Sequence, residues 1–93
     1  MKFPPGQIVT TRLIHKRRLE NVEFSRFIQL STTRHLEGDY GNIPDDDRVA
    51  NVNAEDKEER ILSAYIFPGT DEKIWIITEA DRSSTTVMFP YEY

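Results

Sequence analysis

His15 and His35 are the only histidines in the chain and cysteine is absent, so acid–base, nucleophilic or metal chemistry near neutral pH must use one of these imidazoles or carboxylates alone. His35 is the better placed of the two. Arg34 precedes it and Asp39 follows four residues later, where a helix is expected to end. A carboxylate there could orient the ring for general acid or base work, and Asp81 would complete a small-hydrolase set of His35, Asp39 and Asp81. The same residues have a structural use, because cations in the last turn of a helix pair with its free carbonyls and with the negative end of its dipole. The structural use is the expected one, and no catalytic residue is assigned.

A second polar cluster occupies the expected hairpin at residues 78–86. Glu79 and Asp81 could supply oxygen ligands to a cation, Arg82 could form a phosphate fork, and Ser83, Thr85 and Thr86 add hydroxyls around them. These residue types also build tight turns without any ligand, since Asp accepts from amides two residues on and Thr favours strands. A glycine-rich phosphate loop, a His-Glu-x-x-His pair and a Gly-x-Ser-x-Gly elbow are all missing from the sequence. The expectation is a non-catalytic protein without metal or cofactor. If it has a binding site on this hairpin, Glu79, Asp81, Arg82, Ser83, Thr85 and Thr86 form it.

The net charge of −4 conceals a division along the chain. Residues 1–36 carry seven Lys and Arg against two acids, a balance of +5, whereas residues 37–59 carry two against nine, −7. Arg12, His15, Lys16, Arg17 and Arg18 form the one basic cluster and could follow a phosphate backbone. The acidic stretch, with Asp45, Asp46 and Asp47 at its centre, could instead occupy a partner's basic groove. A protein partner or a second copy of the chain is therefore expected, with nucleic acid as the alternative.

The elements that must position these groups are readable from periodicity. Ninety-three residues, 38 % hydrophobic and 30 % charged, are enough for one core and one domain, residues 1–93. A short β-branched run at 7–11 predicts a first strand, and 12–19 predict a short helix or a turn or two. Asn21 is a natural N-cap, and Phe24, Phe27, Ile28 and Ser31 then repeat at helical spacing, which predicts a helix from 22 to 36 or 37 that Gly38 ends. Pro44 and the three aspartates open a second main helix, 45–57, with a thin apolar face. From residue 60 the period becomes two. Strands at 61–67, 73–79 and 85–89, separated by turns, predict a three-stranded antiparallel meander, with Ile74 and Ile76 on one face and Trp75 and Ile77 on the other. The sum is an α+β fold of order β-α-α-β-β-β. The opening residues lack the apolar run of a signal peptide and no stretch is long enough to span a membrane, so a cytoplasmic location is expected.

Several stretches together resemble a family. They are Met1-Lys2-Phe3-Pro4, Gly6-Gln7-Ile8-Val9, Arg34-His35 with Gly38-Asp39-Tyr40-Gly41, and Asp47, Asn51 and Ala54. Arg60-Ile61-Leu62-Ser63-Ala64-Tyr65, the long block 73–83, Thr85-Thr86 and Pro90-Tyr91-Glu92-Tyr93 complete the set. The chain resembles a family of short, uncharacterised bacterial proteins, often labelled plasmid-related, that occur on plasmids and other mobile elements. The resemblance implies a mobile-element setting and no activity. Taken with the acidic stretch, it leads to the expectation of a non-catalytic accessory module, in one concrete form an inhibitor of a host-defence complex.

Overall fold

Two side chains divide the helical half of the molecule. Thr11 caps α1 (Arg12–Glu20), its hydroxyl accepting from the Ile14 amide at 3.3 Å. Asn21, in extended conformation, ends α1 and begins α2 (Val22–Leu36), accepting from the Phe24 amide at 3.0 Å. The helix at 12–19 is thus a full helix joined to the next through a single residue. Gly38 closes α2 as expected, its amide donating to His35 O and that of Asp39 to Arg34 O. The computed structural model describes residues 1–93 and continues with α3 (Asp45–Ala54), then the strands β2 (Ile61–Ile66), β3 (Lys73–Thr78) and β4 (Ser84–Met88), with a short 3₁₀ turn at Pro90–Glu92. The second main helix ends at Ala54, short of residue 57, in a turn where the Lys57 amide donates to Ala54 O.

The fold is α+β, of order β-α-α-α-β-β-β. The meander forms as expected, β2 with β3 and β3 with β4, both antiparallel. The sheet has a fourth member, however. The first strand, β1 (Gln7–Thr10), lies parallel to β4, with Ile8 beside Thr85, so the strand order is β1-β4-β3-β2. Gly6 allows that close approach. Its φ is +63°, and a Cβ there would overlap the Arg82 carbonyl and the Ser83 backbone.

One face of the sheet carries Tyr65, Ile74, Ile76 and Val87 against Ile14, Phe24, Phe27 and Ile28 of the helices, with Phe89 closing the end. A smaller cluster of Phe3, Leu36, Tyr40, Ala54 and Ile61 sits beside it. The opposite face is met by the chain's own C-terminal residues: the Tyr93 ring packs edge-on against Trp75 at 5.7 Å, and Arg60 lies over Tyr93 and donates to its hydroxyl.

The two edges of the sheet are treated differently. On β2, Asn51 of α3 donates to Leu62 O at 2.8 Å and accepts from the Leu62 amide at 3.3 Å. One step along, the Ala64 amide donates to Tyr40 O and its carbonyl accepts from the Asn42 amide. Gly41, at φ +73°, lies so close to the Ala64 carbonyl that a side chain would collide with it. This edge is sealed by the chain itself, whereas β1 has no neighbour beyond β4. Asn51→Ala should cost on the order of 2 kcal/mol, since it strips two partners from the Leu62 backbone. Urea unfolding compared with the parent protein measures this.

Candidate functional site

His35 does not lie at the helix end among free carbonyls. Its ring points into the molecule, fully buried, with Nδ1 at 2.5 Å from Ser63 Oγ and Nε2 at 2.9 Å from Thr78 Oγ1. Thr78 Oγ1 is 2.7 Å from Thr85 Oγ1, which is 2.8 Å from the Pro5 carbonyl. Counting protons fixes the direction of the chain. A carbonyl can only accept, so the single Thr85 proton goes to Pro5, and Thr78 must donate to Thr85. Thr78 then accepts from His35, which places the ring proton on Nε2 and leaves Nδ1 to accept from Ser63. The Ser63 hydroxyl could accept from a charged ring as well as donate to a neutral one, and it is burial that keeps the ring neutral, by lowering the His35 pKa to about 4. Phe3 and Tyr40 hold the ring edge-on from both sides, at 5.3 and 6.0 Å.

Asp39 and Asp81 are not partners of this ring. Asp39 takes two bonds from Arg34, at 2.7 and 3.1 Å, and this bidentate pairing holds its carboxyl below the usual range. Asp81 accepts from the Ser83 amide at 2.9 Å, and bonding to Ser83 likewise holds its carboxyl low. His15 is exposed on α1. The three residues of the hydrolase set therefore have three separate sets of neighbours.

On the hairpin, Arg82 is the residue whose role differs most from the phosphate fork that its type suggests. Its guanidinium donates to four backbone carbonyls: Ala54 and Lys57 at the end of α3, Glu59 beyond it, each at 2.6 Å, and Glu79 at 3.2 Å. It also lies 5.5 Å from the Phe3 ring centre. A cation at the C-terminal end of α3 matches that helix's dipole, and these bonds offset the φ of +60° that Arg82 adopts, on the order of 1 kcal/mol for an L residue. Ser83 lends its carbonyl to the Gln7 amide, and Glu79 closes the turn through its backbone with its side chain in solvent. Thr85 belongs to the buried chain, and Thr86 is half-buried on the opposite face, paired with Ile77. Of the six hairpin residues singled out, Asp81, Arg82, Ser83 and Thr85 are engaged by the fold, and Glu79 and Thr86 keep free side chains.

The basic cluster is partly spent as well. Arg17 makes a bidentate pair with Glu72, at 2.6 and 2.9 Å, over the Phe24 ring, and this pairing lowers the Glu72 carboxyl. Arg18 donates to Ser25 at 3.1 Å. Beside Arg17 lies a cleft of about 540 Å³, with Lys16, Lys73 and the ring of Tyr91 at its rim.

The acidic stretch has a different character. Asp45, Asp46 and Asp47 form the first turn of α3, exposed, with Arg48 3.9 Å from Asp45. Val49 and Val52 follow Asp45 at i+4 and i+7 and are 59 and 53 % exposed, and Asp56, Glu58 and Glu59 continue the exposed acidic surface past the helix. Two valines thus stand among six exposed carboxylates. No group of three or more His, Asp or Glu side chains converges in a way that could hold a metal ion, and no helix is long and apolar enough to cross a membrane. Compared with family models, with curated proteins and with solved structures, the chain has no match.

Histidine normally titrates near 6.5, so between that value and about 4 the unfolded chain takes up a proton that folded His35 refuses. Stability from this source is complete above pH 6.5 and falls as the pH drops towards 4, by about 3 kcal/mol in all. Urea unfolding across that range should show the slope, and His35→Gln should flatten it. Arg82→Met should cost on the order of 2 to 3 kcal/mol and speed amide hydrogen exchange in the last turn of α3 before that of β3.

Proposed function

We propose that this chain is a non-catalytic, cytoplasmic protein-binding domain carried by a mobile element, and that it inhibits a host-defence complex by laying its acidic segment in a basic groove. The observation that carries this reading is the exposed face of α3, where Asp45 and Asp46 stand one turn before the exposed Val49, Val52 follows on the same face, and the exposed Asp56 lies just past the helix end. An apolar centre with a charged rim is the usual make-up of a protein interface, and the carboxylates speed encounter with a basic surface. The absence of catalysis is supported by His35, whose two ring nitrogens are both bonded inside the core, and by the separate partners of Asp39 and Asp81. The mobile-element setting rests on the family resemblance. Nucleic-acid binding through residues 12–18 has less support, because Arg17 and Arg18 already have partners within the chain.

The test is retention of a bacterial protein on the immobilised domain, followed by affinity measurement with that protein once isolated. Binding should weaken as salt is raised, and it should fall at least tenfold when Asp45, Asp46 and Asp47 are changed to Lys. Affinity unaltered by the three reversals would overturn the reading. A shift of duplex or single-stranded DNA at low salt, lost when Arg12 and Lys16 are neutralised, would favour the basic segment instead.

A further inference from the structure

The free edge of β1 has a defined set of unused backbone groups. The Gln7 amide donates to Ser83 O and the Thr11 amide to Val87 O, so in the alternation of a parallel ladder Gln7, Val9 and Thr11 turn their backbone towards β4. Ile8 and Thr10 turn theirs outward, two donors and two acceptors with no strand beside them. Beyond its four-residue length, β1 lacks the sequence devices that blunt an edge: it contains no charge and no proline. The opposite edge, on β2, is closed by Asn51, Tyr40 and Asn42.

Next to β1, between the strand and α2, runs a groove of about 310 Å³ with Ile28 and Val87 in its lining and Gln29, Thr32 and Thr33 along the helix side. Ile8 lies beside it, 48 % exposed. Arg18 is the one charged residue lining the groove, and it is bonded to Ser25. In a chain whose residues are 30 % charged, this strip is nearly neutral. A charged peptide would find a single complement there, Arg18, whereas an identical strip sets two outward donors and two outward acceptors against the same set on its partner. The acidic segment packs on β2, at the far edge of the sheet, three strand spacings or about 14 Å from β1.

We propose that the occupant of this edge is a second copy of the chain, with β1 pairing antiparallel to the partner's β1 about a two-fold axis at Val9. Ile8 then stands opposite the partner's Thr10, and Thr10 opposite the partner's Ile8. All four outward groups on each strand are satisfied by four hydrogen bonds across the axis. Val9 faces the partner's Val9 as a pair without hydrogen bonds, and α2 of each copy brings Gln29, Thr32 and Thr33 alongside the other. Two four-stranded sheets become one of eight strands, with the α3 faces at its two ends. This dimer is independent of what α3 binds.

Sedimentation of the full chain at increasing concentration should show the mass rising from 10.9 kDa towards twice that value. The chain has no native cysteine, so single substitutions report the register. Val9→Cys should cross-link under mild oxidation, because facing residues without hydrogen bonds lie about 4.5 Å apart at Cα, within disulfide reach. Ile8→Cys should not, because Ile8 faces the partner's Thr10. Ile8→Pro, which removes only an outward amide, should leave a folded monomer by circular dichroism and sedimentation. A chain that stays monomeric at roughly 1 mM overturns the proposal, whether or not it then binds an extended peptide. So does a dimer that Val9→Cys fails to lock or that folded Ile8→Pro retains.

Discussion

The run of hydrogen bonds from Ser63 through His35, Thr78 and Thr85 to the Pro5 carbonyl joins α2, all three strands of the meander and the segment leading into β1. In an apolar interior a polar group without a partner costs more than the bond itself is worth, so these five groups must be in place together or not at all. With the Pro5 carbonyl as final acceptor and the His35 ring neutral, a single arrangement of donors satisfies the run. The two apolar clusters lie on either side of this run, and His35 meets the smaller one directly through Phe3 and Tyr40. The burial that gives the molecule its stability is therefore conditional on a polar seam.

Much of the fold was legible in the sequence wherever its cause is local. Asn21, the Phe24-Phe27-Ile28 stripe and Gly38 mark α2, and the change of period near residue 60 marks the meander, because capping and periodicity act within a few residues. The parallel pairing of β1 with β4 was not legible, since its partners lie almost the whole chain apart. His35 shows the same limit: next to Arg34 and Asp39 it suggests a surface pair, but its partners are 28 and 43 residues away. A faint signal existed in Ser63, Thr78 and Thr85, hydroxyls two residues along their strands from apolar residues of the same face: Ile61 and Tyr65, Ile76, and Val87.

The partners of Arg82 were hidden for a related reason. An arginine on a turn among hydroxyls and acids has the composition of an anion site, and nothing nearby in sequence announces the carbonyls of Ala54, Lys57 and Glu59. By holding them, the hairpin positions the end of α3, and with it the face bearing Val49 and Val52. The arginine whose type suggested an anion fork helps instead to place the exposed surface of α3. The aspartates of α3 were visible from the start because acids at a helix N-terminus need no distant partner to be stable there.

The adjacency of β1 and β4 also has a consequence for how the molecule comes into being. In synthesis from the N-terminus, Gln7–Thr10 emerge well before Ser84–Met88, the strand they pair with. Until then Ile8 and Val9 have no sheet to join, and the hydroxyl of Thr85 is not there to meet Pro5. The helices can form early from local contacts, while closure of the sheet waits on the emergence of β4. Any pause before β4 emerges would leave the uncharged, β-branched segment of β1 without its partner strand.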